Sequence, residues 1–141
     1  MKLHGSILMV VLALMMVGEA AAQTVRMKAN VPFDFVVNGS TLPAGEYSIQ
    51  SFGTADGKTL LVKNADLTDK ALVNSISVQS LRSAKETKLV FHRYGDRYFL
   101  AEVWTEGNDR GNELPKSSRE VETAMGYDHH FQEVDIVAAM K

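Results

Sequence analysis

The sequence predicts a mainly β protein, an antiparallel β-sandwich or small barrel followed by a short C-terminal helix. Apolar and polar residues alternate with the period of a β-strand over about residues 24–105. Turn-forming pairs such as Asn38-Gly39 and Asp56-Gly57 interrupt these runs at about the 8–12-residue spacing of sandwiches and barrels. Between residue 23 and Leu114, no apolar stripe follows the period of a helix. A C-terminal helical segment is predicted over about residues 117–140.

Residues 1–22 have the three parts of a secretory signal peptide. Lys2 is the positive start, Ile7–Val17 is the apolar run, and Ala20-Ala21-Ala22 is the small-residue cleavage site. The apolar run is too short for a membrane-spanning helix, which needs roughly 20 residues. We therefore expect residues 23–141 to form one exported domain, periplasmic or extracellular, with no transmembrane helix after cleavage of the signal.

The composition argues against several classes of protein. The chain contains no cysteine and carries a net charge of −2 at pH 7. It therefore has no disulfide framework, no thiol nucleophile and no cysteine-ligated metal. A nucleic acid partner is not expected, because basic residues are not in excess. Stability must come from a packed apolar core, which a domain of this size can form. No cofactor is predicted.

Short strands account for the alternating runs. Val25, Met27 and Ala29 alternate with polar residues up to Pro32, which ends the first strand. Asn38-Gly39 and the segment Leu42-Pro43-Ala44-Gly45 favour turns. Further strands are predicted within residues 33–37, 47–49, 60–62 and 71–78.

The clearest single element is a β-hairpin over residues 87–105, in which two apolar runs flank Gly95-Asp96. Glycine at the first central position favours a type II′ turn, which fixes the register of both strands. The predicted pairs are Tyr94 with Arg97, Arg93 with Tyr98, His92 with Phe99, Phe91 with Leu100, and Val90 with Ala101.

This register also predicts what each face of the hairpin carries, because paired residues share a face. Both faces are apolar, so we expect a second sheet on one face and the C-terminal segment on the other. One face would carry Val90, Phe99, Ala101 and Val103, and the other Leu89, Phe91, Tyr98, Leu100 and Trp104.

A helix start lies beyond the predicted strands. Ser117 and Glu120 have the spacing of a capping box, in which each side chain bonds the other residue's backbone N–H. Val121, Ala124 and Met125 then form an apolar stripe, and Gly126 ends the helix. Beyond it, Phe131–Met140 fits either a second helix, through Phe131, Val134, Val137 and Met140, or a strand, through Val134, Ile136 and Ala138. The helix is the preferred interpretation.

Three motifs resemble a family of small exported bacterial proteins of uncharacterised function. They are Val31-Pro32-Phe33-Asp34-Phe35 with Gly39, Leu42-Pro43-Ala44-Gly45-Glu46-Tyr47, and the closing Leu114-Pro115-Lys116-Ser117. The resemblance covers most of residues 23–141 and implies an exported domain of several strands with a closing helix start. It implies no activity, because the family has no assigned catalytic residues. The tail after Gly126 is longer than the family pattern.

The best candidate binding residues lie on or near the hairpin. Tyr94, Arg97, Tyr98 and Trp104 combine aromatic rings with a guanidinium, which suits sugars, peptides or apolar ligands. The competing interpretation is that Tyr98 and Trp104 belong to the core and that Tyr94 and Arg97 form a solvated turn. For Trp104 the core interpretation is preferred, because tryptophan is usually largely buried.

Three clusters of polar residues suggest chemistry only weakly. Asp128, His129, His130 and Glu133 have zinc-ligand types, and on a helix His129 and Glu133 would share a face; the H-E-x-x-H pattern is absent. Residues 106–113 contain oxygen ligands but lack the spacing of a calcium loop, so a plain loop is preferred. Asp34 and Glu46 have no fixed separation that would indicate paired carboxylates of a glycosidase.

Together these features predict an exported, non-enzymatic protein of the cell envelope that binds an unidentified ligand or has a structural role. The alternative is a metal-dependent hydrolase that uses Asp128, His129, His130 and Glu133. The two hypotheses differ in whether a bound metal is required.

Overall fold

The computed structural model describes residues 25–53 and 57–140, so the predicted signal segment, residues 1–22, lies outside the described residues. Within these ranges one α-helix, α1, spans Ser118–Met125, and no helix is long and apolar enough to cross a membrane. The strands are β1 (Arg26–Val31), β2 (Phe35–Val37), β3 (Ser40–Leu42), β4 (Gly45–Ser51), β5 (Thr59–Lys63), β6 (Lys70–Asn74), β7 (Ile76–Gln79), β8 (Lys88–Tyr94), β9 (Arg97–Trp104), β10 (Arg110–Glu113), β11 (Gln132–Val137) and β12 (Ala139–Met140).

The strands form two sheets. A five-stranded sheet has the order β12-β1-β4-β5-β6, and a seven-stranded sheet contains the path β11-β8-β9-β10-β7, with β2 pairing β9 and β3 pairing β2. Pairing is antiparallel except where Val36 of β2 lies opposite Phe99 of β9 in parallel register. The predicted mainly β fold is confirmed. Within the described ranges neither sheet closes on itself, so the architecture is a sandwich rather than a barrel.

The core lies between the two sheets and is built from alternate residues of each strand. In β1, for example, Met27, Ala29 and Val31 are buried while the residues between them are exposed, as the sequence alternation predicts. Burial of one large apolar side chain stabilises the fold by about 1.5–3 kcal/mol. The largest fully buried side chains are Tyr47, Tyr94, Phe35, Phe91, Met27, Ile49, Leu60, Leu89, Val31, Val37, Val62 and Val103.

The β8–β9 hairpin has the predicted turn. Gly95 has a φ of +62°, and only the first central residue has a positive φ, as a type II′ turn requires. Four predicted pairs are confirmed, from Tyr94 with Arg97 to Phe91 with Leu100.

The fifth predicted pair is wrong, because a β-bulge interrupts the hairpin. Val90 lies opposite Glu102 instead of Ala101, and the register shifts between Val90 and Phe91. A bulge inserts one extra residue and reverses the faces of the residues beyond it. Val103 therefore lies opposite Leu89 and joins the core, whereas Trp104 is turned to the opposite face, contrary to the prediction.

The outer face, defined as the face of the seven-stranded sheet turned away from the core, is partly covered by α1. Ala124 of α1 packs with Val36, Tyr94 and Phe99 in a small second cluster of buried residues. The expectation that the C-terminal segment covers the hairpin is confirmed at this end of the sheet.

The cap of α1 is partly as predicted. Ser117 is the N-cap, and its hydroxyl accepts the backbone N–H of Glu120 at 3.2 Å. The carboxylate of Glu120 is engaged with the sheet, where it meets His92 and Tyr94, instead of turning back to the cap. The helix ends at Gly126, as predicted, but with an ordinary φ of −71°.

The preferred interpretation of residues 131–140 as a helix is wrong, because this segment forms β11 and β12. Six residues of β11 pair with β8, from Gln132 opposite Arg93 to Val137 opposite Lys88. Val134 and Ile136 pack against the core, while Asp135 between them is exposed. Pairing with the open edge of β8 places Val134 and Ile136 against the core, and this tertiary context overrides the local period. β12 then pairs with β1, so the chain end joins both sheets.

Candidate ligand-binding site

The outer face beyond α1 carries Trp104, whose indole ring lies flat on the sheet. Gly111 of the neighbouring strand β10 lies beneath the ring. A β-carbon at Gly111 would come within 2.7–2.9 Å of three ring atoms of Trp104, Cδ2, Cε3 and Cε2. Similar distances to three atoms of one ring mean that the ring is face-on to the backbone of Gly111. Only glycine leaves room for this arrangement.

Glu102 fixes the orientation of the ring. The indole Nε1–H of Trp104 donates to Oε2 of Glu102 at 2.6 Å. The two residues are neighbours on the outer face because they are two positions apart on β9. Trp104 also lines an open groove on the protein surface. Because Gly111 does not line this groove, we assign the groove to the ring face opposite Gly111.

The Trp104 groove is the space of about 280 Å³ that this ring face lines, between β8, β9, β11 and the loop of residues 80–86. Acidic, basic and hydroxyl side chains surround it. Lys88 bonds Asp135 at 2.8 Å, and this hydrogen bond raises the pKa of Lys88, so the ammonium stays charged at neutral pH. The polar side chains that line the groove are Ser80, Arg82, Ser83, Lys88, Glu102 and Glu133.

The loop that forms one wall of the groove is held by backbone hydrogen bonds. The N–H of Ser80 donates to the carbonyl of Asp109 at 2.7 Å, and that of Ala84 to the carbonyl of Asn108 at 2.8 Å. The N–H of Gly107 returns a bond to Ala84 at 2.9 Å. Residues 107–109, which belong to the segment with oxygen ligands of the kind that calcium prefers, thus support this wall.

The other predicted binding residues do not join Trp104. Tyr98 lies on the core-facing side, where its ring stacks on Phe33 at 3.7 Å. Tyr94 is buried beneath α1. Arg97 is exposed at the hairpin turn, beside a second hollow that Arg119 and Tyr127 also line. Arg97 and Trp104 therefore occupy opposite ends of β9.

A polar trio beneath α1, of which Glu120 and Tyr94 are buried and His92 is half-buried, joins the helix to the sheet. Glu120 is 3% exposed, and its Oε1 lies 2.8 Å from Nδ1 of His92 and accepts the hydroxyl of Tyr94 at 3.1 Å. Burial, then the charge of Glu120, raises the pKa of Tyr94 to about 12. The Tyr94 hydroxyl therefore remains a donor at any physiological pH. Phe131 stacks on His92 at 3.9 Å and covers it.

The residues considered as metal ligands are not assembled into a site. Asp128, His129 and His130 are exposed in the turn after α1, whereas Glu133 belongs to β11 and lines the Trp104 groove. The helical spacing of His129 and Glu133 is therefore lost. Within residues 25–53 and 57–140, no group of three or more His, Cys, Asp or Glu side chains could hold a metal ion.

The two carboxylates considered for glycosidase chemistry have separate partners. Asp34 accepts the backbone N–H of Ala44 at 2.9 Å and so stabilises the turn before β4. Glu46 forms an ion pair with Lys28 of the adjacent strand at 3.2 Å. Each carboxylate thus has a local structural role.

Sequence reasoning missed Glu102 and Gly111, which hold Trp104 in place. The sequence could have indicated Glu102, since its spacing from Trp104 puts both side chains on one face of a strand. Nothing in the sequence indicates Gly111, because the pairing of β10 with β9 is needed to bring it under the ring.

No protein-family model matches the chain, and neither a curated protein nor a solved structure matches it. The resemblance to small exported bacterial proteins therefore stays a prediction.

Proposed function

We propose that this chain is an exported protein that binds a ligand of the cell envelope through the Trp104 groove, without catalysing a reaction. The observation that carries the proposal is the flat placement of Trp104 over Gly111, with Nε1 bonded to Glu102. An aromatic ring held in this way offers a preformed contact surface, and preformed surfaces lose little conformational entropy on binding.

A structural explanation of Trp104 is weaker than a binding one. The residue is outside both clusters of buried apolar residues, so it does not fill the core. Its Cβ direction is set by the bulge in β9, and bulges are common where a strand re-aims a side chain for function. Tryptophan is also among the residues most enriched at binding sites.

Export is supported by the sequence of residues 1–22 and by the chemistry of the domain. Lys2, Ile7–Val17 and Ala20-Ala21-Ala22 have the order of a secretory signal. The cysteine-free core requires no disulfide and would be unaffected by an oxidising compartment.

Export is tested by expressing the full chain in a bacterium and separating the cell fractions. We expect the protein in the periplasmic or extracellular fraction, with the intact mass of residues 23–141. A matched variant with Leu14→Arg, which places a charge in the apolar run, should remain uncleaved in the cytoplasm. Recovery of the uncleaved chain from the cytoplasm without that substitution would contradict export.

Binding is tested by sedimentation of the exported protein with washed envelope material. We expect the protein to sediment with the envelope and Trp104→Ala to stay largely in the supernatant. Tyr127→Ala is the matched control, because Tyr127 is an exposed aromatic residue at the other end of the outer face. Equal sedimentation of the protein and Trp104→Ala, or none by either, would contradict the proposed function.

A further inference from the structure

The Trp104 groove has the features of a surface that stacks a ring-shaped ligand. Gly111 covers one face of the indole, and the groove that Trp104 lines is assigned to the other face. The π-electrons make this face weakly negative and apolar. A pyranose sugar presents a complementary surface, because one side of its ring consists of C–H groups that carry slight positive charge. The two flat surfaces can therefore stack in parallel.

The rim of the groove suits hydroxyl groups. Glu102 and Glu133 are acceptors, Arg82 and Lys88 are donors, and the hydroxyl of Ser83 is both. Although Glu102 already accepts from Trp104, a carboxylate has about four acceptor positions, so it retains capacity. A sugar hydroxyl donates and accepts at once, and therefore can use both kinds of partner.

The balance of charge argues against an ionic ligand. Two acidic and two basic side chains line the groove, Glu102 and Glu133 against Arg82 and Lys88. Asp135 pairs with Lys88 at 2.8 Å, so one acidic charge is in excess, which disfavours an anion and is too small to select a cation strongly. The volume of about 280 Å³ is just below the range of ligand pockets, about 300–1,000 Å³. It accommodates one ring of a longer chain, with the remainder in solvent.

We infer that the Trp104 groove binds neutral glycan chains by stacking one pyranose ring on Trp104 and bonding its hydroxyls to the charged rim. This inference rests on the proposed binding function and adds the chemical class of the ligand. The loop of residues 80–86 is held by backbone bonds to residues 107–109, so this wall is in place before the sugar arrives.

Trp104 itself provides the readout, because the chain contains one tryptophan. Tryptophan emission is recorded while the purified exported protein is titrated with neutral oligosaccharides of glucose, xylose and N-acetylglucosamine. Oligogalacturonates and a mixture of short neutral peptides are titrated in parallel. We expect a saturable change in emission with at least one neutral oligosaccharide.

Variants test whether the sugar lies on the ring of Trp104. Binding is measured by calorimetry, because replacing Trp104 removes the tryptophan emission. Trp104→Ala should weaken the affinity for the oligosaccharide by at least about tenfold, the equivalent of 1.4 kcal/mol. Trp104→Phe keeps a flat ring on Gly111 and should weaken it less. Tyr127→Ala should leave it unchanged. If Trp104→Ala fails to fold, Trp104→Phe and Arg82→Ala provide the comparison.

Failure of the sugar inference is distinguishable from failure of the binding function. Envelope sedimentation that depends on Trp104, without a response to any neutral oligosaccharide, would overturn the sugar class and leave the binding function standing. A saturable response only to oligogalacturonates or peptides would do the same. Oligosaccharide binding that is equal in Trp104→Ala would place the sugar elsewhere and overturn the inference.

Discussion

Replacing Phe91 with alanine is expected to lower the free energy of unfolding by about 3–5 kcal/mol, the range for deleting a buried phenylalanine ring. Phe91 lies within β8 and is 0% exposed. Its ring makes edge-to-face contacts with Phe33 and Phe35, at centroid distances of 5.0 and 5.4 Å. Phe35 in turn meets Tyr47 of the five-stranded sheet at 5.1 Å. The cavity would therefore open where the two sheets meet.

Urea unfolding followed by circular dichroism measures this loss. The expected loss is a large part of the free energy of unfolding of a typical domain, roughly 5–15 kcal/mol. Phe91→Ala should therefore be partly unfolded or aggregation-prone at growth temperature. Phe52→Ala removes the same side chain from a site that is 47% exposed, and its effect should stay within about 0.5 kcal/mol. A loss below about 1 kcal/mol in Phe91→Ala would mean that the sheets do not meet at this ring.

The hairpin shows which part of the strand pairing the turn residues predict and which part they do not. Gly95-Asp96 specifies the turn, and the turn specifies the register for four pairs. The bulge between Val90 and Phe91 has no such local signal, since Ala101 is neither a glycine nor a turn-forming residue. The bulge becomes apparent only once the second sheet shows that Val103 is buried and that Trp104 points outward.

The C-terminal strand shows a different limit. Residues 131–140 satisfy both a helical and a strand period, so the pattern alone does not separate them. The open edge of β8 decides the outcome, because β11 completes its ladder over six residues. A long-range partner of this kind is visible only after the order of the strands is known.

For the candidate site, the sequence offered Trp104 as a possible binding residue but favoured a place in the core for it, whereas the ring lies outside both buried clusters. The four predicted residues were grouped because they are close in sequence on one hairpin. Tyr98 and Trp104 lie on opposite faces because of the bulge, and Arg97 lies at the far end of β9 from Trp104. The glycine and the carboxylate that hold the ring, and the loop that forms a wall of the groove, come from three separate segments.

Replacing Glu120 with alanine is the second change expected to have a large effect. Glu120 is 3% exposed and is bonded to both His92 and Tyr94. Its removal leaves the buried hydroxyl of Tyr94 without its partner, at a cost of about 1–3 kcal/mol, and also removes the partner of the half-buried His92. Since these bonds join α1 to the outer face, α1 should detach first, and its amides should lose protection from hydrogen exchange. Glu122→Ala, an exposed position of the same helix, should change stability by less than about 0.5 kcal/mol.

Measurements of stability at alkaline pH distinguish the effect of the charge of Glu120 from the effect of its packing. Tyr94 has a pKa of about 12 in the folded protein, raised by burial and by Glu120 from the ordinary value of 10.0. Between these values the unfolded chain loses the Tyr94 proton first, so stability is complete below pH 10 and falls toward pH 12.

Glu120→Gln keeps an acceptor oxygen but removes the charge, which lowers the pKa of Tyr94. Its loss of stability between pH 10 and 12 should therefore be smaller than in the unmodified protein, measured by urea unfolding at both pH values. Equal losses in the two proteins would show that burial alone holds the proton on Tyr94.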